Sequence, residues 1–155
     1  MRVVVQRVDW ASVSVENRRV ASIGPGLLLL AAIAEGDDEP AVRHMAAKCA
    51  DMRLFAGESG RFERSAAESH AEVLVVSQFT LLADVRRGRR PSFAAAAAPD
   101  VAGPLLEAFA DELRARGLPV ATGRFGAMMK VELVNDGPVT IVIDSDDLDR
   151  PRRSN

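Results

Sequence analysis

The chain has 155 residues, 48% of them hydrophobic and 27% charged, with a formal net charge of -2. That length suits one ordinary domain with a core of its own, and a single cysteine, Cys49, excludes an internal disulfide and a multi-cysteine zinc site. No apolar run reaches the ~18 residues of a bilayer span, the first residues meet charge too soon for a signal-peptide core, and so weak a net charge gives no whole-molecule pull on nucleic acid, so a cytoplasmic protein without membrane contact is expected.

The first half reads as strands. Residues 2–8 are rich in valine, and Val13 and Val15 alternate with Ser12, Ser14 and Glu16. Residues 16–19 suit a tight turn into a strand over 20–23, Gly24-Pro25-Gly26 punctuates, and 27–33 runs as a fully buried strand. Asp37-Asp38-Glu39-Pro40 opens a helix, with acids at the positive end of its dipole and proline in the first turn. Val42, Met45, Cys49 and Met52 mark its inward face, which makes Cys49 a core thiol. His44 falls off that stripe and reads as a solvated histidine.

Residues 57–69 are polar and predict a loop; 72–80 predict a strand and 84–90 a basic loop. Asp100 is the expected cap of a helix running to Arg116, with Leu105, Phe109 and Leu113 on one face and Gly117 and Pro119 closing it. Two more strands are expected over 130–134 and 139–143, around Asn135-Asp136-Gly137-Pro138. The pattern predicts an α+β fold in which two main helices pack against an antiparallel, barrel-like β-sheet. One domain over 1–143 is expected, followed by a charged, disordered tail over 144–155.

Searches for common chemistry find little. No zinc-protease or zinc-deaminase spacing, nucleophile elbow, phosphate loop or dinucleotide fingerprint occurs, and His70 near Glu68 and Ser69 does not make a triad. Nothing demands a metal or another cofactor. Three segments break the surrounding pattern. At Ser77-Gln78-Phe79-Thr80-Leu81 an apolar strand turns polar, either because it surfaces or because strand ends carry active-site groups. Asn135-Asp136-Gly137-Pro138-Val139-Thr140 reads first as a hairpin turn, although Gly-Pro is also where a cis peptide costs only about 0.5–1 kcal/mol. Arg86, Arg87, Arg89 and Arg90 form a cluster that is either a solvated loop or a phosphate-binding one, since arginine forks match phosphate oxygens.

Taken together these residues resemble the D-aminoacyl-tRNA deacylase family. The likeness runs through Gln6-Arg7-Val8, Ala11-Ser12-Val13, Gly26-Leu27-Leu28, the segment 75–81, Arg90-Pro91-Ser92-Phe93, Thr122-Gly123-Arg124-Phe125 and the segment 135–140, in the family's order. One departure is visible: where the family usually carries a Met-Asn pair, this chain has Phe62-Glu63 after Gly60-Arg61.

The resemblance implies a homodimer with its active site at the interface, acting on the 3′ end of aminoacyl-tRNA. Ser77, Gln78, Phe79 and Thr80 of one subunit would line the pocket. Gly137 and Pro138 would enter from the other as a cis dipeptide braced by Arg7, excluding L substrates by clash. An exclusion filter need not read the D side chain, so many D-amino acids and the glycine of glycyl-tRNA mischarged on tRNA-Ala are expected substrates. Hydrolysis would proceed either through Thr80 as nucleophile, or through oxyanion-binding amides near Phe79 and Thr80 with help from the RNA 2′-hydroxyl, the route we favour. Phe125 and Met129 are candidate walls for the terminal adenosine, with core packing the alternative for each. Arg86, Arg87, Arg89 and Arg90 are the candidate phosphate contacts. A tRNA deacylase of relaxed chirality and a non-catalytic nucleic-acid-binding module on the same fold are the rival readings.

Overall fold

The computed structural model describes residues 1–148. β1 (Arg2–Val15) and β2 (Arg18–Ile23) form an antiparallel hairpin, turned through Glu16 and Asn17 at φ 49° and 62°. Positive φ at both central residues matches the right-handed twist of the flanking strands. β3 (Gly26–Ala32) pairs antiparallel with the first half of β1. β6 (Glu72–Ser77) then lies parallel to β3, and β7 (Val120–Thr122) parallel to β6. The sheet is therefore mixed, where the sequence predicted an antiparallel one. Gly26 permits the β3–β6 approach, because a Cβ there would lie 1.9 Å from the Glu72 carbonyl oxygen.

Both faces of the central strands are buried. Leu27, Leu29, Val73 and Val75 point to one side, where Val42, Met45 and Cys49 of α1 (Glu39–Asp51) and Phe109 and Leu113 of α2 (Pro99–Ala115) cover them. Leu28, Leu74 and Val76 point to the other, into a second cluster with Val8, Ala11, Val13 and Ile23. Two-sided burial explains why these strands read as unbroken apolar runs.

α1 starts as expected: the Asp38 carboxylate accepts from the Ala41 amide at 3.0 Å, and proline occupies the first turn. α2 differs. Ala98 precedes it without a side-chain cap, Pro99 opens it, and Asp100 sits in the first turn and does not cap it. Its buried face carries Ala102, Leu106, Phe109, Ala110 and Leu113, so Leu106 takes the place expected of Leu105. The polar stretch 57–69 is not all loop: β4 (Phe55–Ala56) and β5 (Phe62–Arg64) make a small antiparallel ribbon.

The largest difference lies near the end of the chain. The two strands expected around a hairpin turn are one strand, β8 (Lys130–Asp144), paired with β1 along nearly its whole length. Gln6 faces Thr140 and Val8 faces Asn135, so β8 spends three more residues than β1 between these pairs. Residues 136–139 bulge out as an excursion opposite Arg7. β1 supplies a partner strand on both sides of it, which a hairpin turn would forfeit. Beyond it, Asp144 closes β8 and Ser145–Leu148 form a helical turn, α3. These residues belong to the stretch expected to be a disordered tail; the rest of that stretch, 149–155, lies outside the described residues.

Candidate functional site

The polar segment after β6 forms a tight turn. Ser77 ends the strand, the Gln78 amide donates to the Ala31 carbonyl at 2.8 Å, and a 3-10 turn spans Phe79–Leu82. Among the described residues the amides of Phe79 and Thr80 have no acceptor within the chain, as expected for the first donors of a helical turn. The Thr80 hydroxyl accepts a hydrogen bond from the Gln78 side-chain amide, a partner that cannot act as a base. Phe79 is 56% exposed and meets Phe93 edge to face, with ring centroids 5.0 Å apart. Arg2 steadies the turn from below. It donates to the Leu81 carbonyl at 2.9 Å while pairing with Asp144 at 2.7 Å. Burial opposes the charge of Asp144, yet hydrogen bonds from Arg2 and the Asp146 amide hold its carboxyl below the ordinary carboxylate range.

Beside Ser77 lies a cleft of about 110 Å³, walled by Thr122, Gly123, Phe125 and, from α2, Gly103 and Leu106. Gly103 leaves room for Phe125, whose ring comes within 3.4 Å of where a Cβ would stand. Phe125, a candidate wall for the terminal adenosine, lines the same cleft as Ser77. Met129 does not line it. It packs against the second apolar cluster and lines a separate cavity of about 490 Å³ with Asn17, Arg124, Met128 and Lys130.

The excursion is held from two sides. On its own strand, Asn135 Oδ1 accepts from the Val139 amide at 2.9 Å, and Asn135 Nδ2 donates to Thr140 Oγ1 at 2.9 Å. Gln6 Nε2 donates to the same hydroxyl at 3.2 Å. From β1, Arg7 Nε meets the Asp136 carboxylate at 2.9 Å, and Arg7 Nη1 donates to the Leu54 carbonyl at 2.6 Å. Alternation along β1 puts Arg7 on the face of Val3 and Val5, which aims it at this segment. The Gly137–Pro138 bond is cis.

The basic loop is closed at its base by paired backbone hydrogen bonds between Asp84 and Ser92, at 2.8 and 2.9 Å. Arg86 is held by Asp84 through two side-chain contacts of 2.9 and 2.7 Å, which push that carboxyl down to about 2. Arg87, Arg89 and Arg90 are exposed and have no carboxylate partner among the described residues. No cluster of three or more His, Cys, Asp or Glu able to hold a metal occurs among the described residues.

Sequence reasoning missed Arg2, Asn135 and Leu54. Their roles depend on contacts across 79, 4 and 47 positions, and only Asn135 sat inside a motif.

A mixed α+β domain thus carries a cleft at a strand end and a Gly-Pro excursion braced by Arg7 and Asn135. The family described as D-Tyr-tRNA(Tyr) deacylase matches residues 4–144. The D-aminoacyl-tRNA deacylase of Roseiflexus sp. (strain RS-1) is 59% identical over 152 residues, covering 98% of each chain. That of Roseiflexus castenholzii (strain DSM 13941 / HLO8) is 55% identical over 98% of this chain and 97% of its own. A solved structure of the c-Myc DNA Unwinding Element Binding Protein superposes with a TM-score of 0.87 at 38% identity, covering 93% of this chain and 98% of that one. The chain belongs to the D-Tyr-tRNA(Tyr) deacylase family and is an enzyme of that class, a hydrolase of the aminoacyl-tRNA ester.

Proposed function

We propose that this chain works as a homodimer that hydrolyses the ester of D-aminoacyl-tRNA, and of glycyl-tRNA mischarged on tRNA-Ala, using Gly137 and Pro138 of one copy as the filter over Ser77, Gln78, Phe79 and Thr80 of the other. One observation carries the reading: the ridge and the cleft stand apart within a single chain. Strand pairing sets the ridge level with Arg7, Leu27 and Val73, and Ser77 level with Ala31 and Val3. Four residues of strand, about 13 Å, separate the two levels, and β1 and β3 lie between them laterally. A second copy supplies what one chain holds apart. Trp10, Val134 and Val142 are exposed on β1 and β8 and offer apolar area for such an interface.

In this reading the ester carbonyl faces the amides of Phe79 and Thr80, which take up the charge that develops on its oxygen. The terminal adenosine rests against Phe125, and the RNA's own 2′-hydroxyl assists the attacking water. Thr80 contributes its amide, since its hydroxyl has only the Gln78 amide beside it. Gly137 and Pro138 occupy the space an L side chain needs, while a D side chain points away and glycine has none to clash. Arg87, Arg89 and Arg90 contact tRNA phosphates.

Deacylation of matched D-tyrosyl- and L-tyrosyl-tRNA, with a chelator present, tests this. Release from the D form alone supports both the activity and the filter, and release from both overturns the filter. The DNA-binding name of the 38%-identical structure motivates a second reading, nucleic-acid binding without turnover; release from neither form, with retained RNA binding, would favour it.

A further inference from the structure

We infer that Phe62 is a positioning residue for stereochemical discrimination, acting on the Gly137–Pro138 ridge through Arg7; the inference rests on the ridge being the filter. The Arg7 guanidinium carbon stands 5.4 Å from the centroid of the Phe62 ring, over its face. The same guanidinium bonds Asp136 by Nε and Leu54 by Nη1. Its Nη2 lies 3.3 Å from the point where Gly137 would carry a Cβ. Arg7 therefore touches both the ridge and the ribbon of β4 and β5.

The ribbon delivers two of these contacts together. Phe62 pairs with Ala56, and the Leu54 amide donates to the Arg64 carbonyl at 3.1 Å, so the Leu54 carbonyl and the Phe62 ring belong to one small unit. The carbonyl fixes the guanidinium by its edge, and the ring covers its face. A planar cation held at edge and face has little freedom to swing. Covering that face also keeps water and salt from the Arg7–Asp136 pair, whose Asp136 side chain is 47% exposed. Phe62 itself is 53% exposed, more than a core role requires. Its ring faces the cation on one side and solvent on the other, which argues for an electrostatic duty over a packing one.

The test compares the full-length protein with Phe62→Leu, which keeps apolar bulk without the ring, and Phe62→Tyr, which keeps the ring. Arg7→Ala is run beside them. The readout is the ratio of kcat/KM for D-tyrosyl- over L-tyrosyl-tRNA at low and high salt, with the unfolding midpoint measured in parallel. Phe62→Leu is expected to lower the ratio about two- to fivefold, the worth of an exposed cation–π contact, and to make the ratio fall further with salt. Phe62→Tyr should restore both, and the unfolding midpoint should stay put. An unchanged ratio in Phe62→Leu, or an equal loss in Phe62→Tyr, overturns the role of the ring. If Arg7→Ala keeps full discrimination, the ridge reading itself fails and the inference with it. If Arg7→Ala loses discrimination while Phe62→Leu does not, only the inference fails. Should Phe62→Leu unfold, Phe62→Ile at the same position carries the comparison, with the same outcomes.

Discussion

Replacing Gly137 with alanine tests the ridge most directly. The residue sits at φ 130°, where L side chains are strained. The added Cβ would lie 2.7 Å from Val139 Cγ2 and 2.9 Å from the Val139 amide nitrogen, against the 3.4 Å at which ordinary contact begins. Neither neighbour gives way easily. Val139 is 9% exposed within the main core, and its amide is held by Asn135. Relief must come from the ridge moving outward, which loosens its hold on Arg7 and Asp136. The backbone strain costs about 1–3 kcal/mol. At roughly 2–4 °C per kcal/mol for a chain of this size, the melting temperature should drop by a few degrees while the fold survives. A displacement approaching 1 Å at a positioning element costs on the order of 10²-fold in rate or selectivity. Discrimination between D- and L-tyrosyl-tRNA should therefore fall at least about tenfold, far out of proportion to the modest loss of stability. The assay is single-turnover deacylation of both substrates, paired with a thermal melt. A variant with native melting and native discrimination would show that the ridge tolerates a side chain, and would refute the reasoning.

Other expectations follow from the same geometry. Thr80→Ala should retain most activity, because the amide stays in place; a loss of about 10²-fold in kcat, the scale of a missing oxyanion donor, would make the hydroxyl essential. Removing Arg87, Arg89 or Arg90 should each flatten the salt dependence of tRNA binding by about one unit of logarithmic slope. Arg86→Ala should change it less, since Asp84 already holds that guanidinium, and an equal effect from Arg86 would contradict this division. Burial pushes the Cys49 thiol from 9.0 up to about 12, so the folded chain keeps its proton where the unfolded chain loses it. The resulting stabilisation is complete below pH about 9 and is lost as pH rises towards 12. Between about pH 8 and about pH 10.5 the unfolding free energy from urea titration should fall by roughly 1–2 kcal/mol more in the native chain than in Cys49→Ala. Equal losses in the two proteins would dismiss the effect.

Much of this molecule is legible along the chain. Periodicity placed α1 and its inward face, the unbroken apolar run over 27–33 announced a fully buried strand, and the order of short motifs pointed to the family and to the Ser77 and Gly137 segments. What the sequence left undecided is where a local pattern fits two structures equally well. Asn135-Asp136-Gly137-Pro138 suits a hairpin turn as readily as an excursion; β1 decides, because it is long enough to pair on both sides and so keeps the strand in one line. β7 is three residues that become a strand only because β6 offers them an edge. The polar ribbon at 55–64 meets Arg7 only because the fold brings β1 beside Leu54 and Phe62. The offset between the Ser77 cleft and the Gly137 ridge is likewise invisible in one dimension, since it is set by three strand registers at once, among four strands. Side-chain chemistry and periodicity are properties of neighbours in sequence and can be read there. Register and the aim of a long side chain are fixed by hydrogen bonds between distant segments, and only the folded chain brings those together.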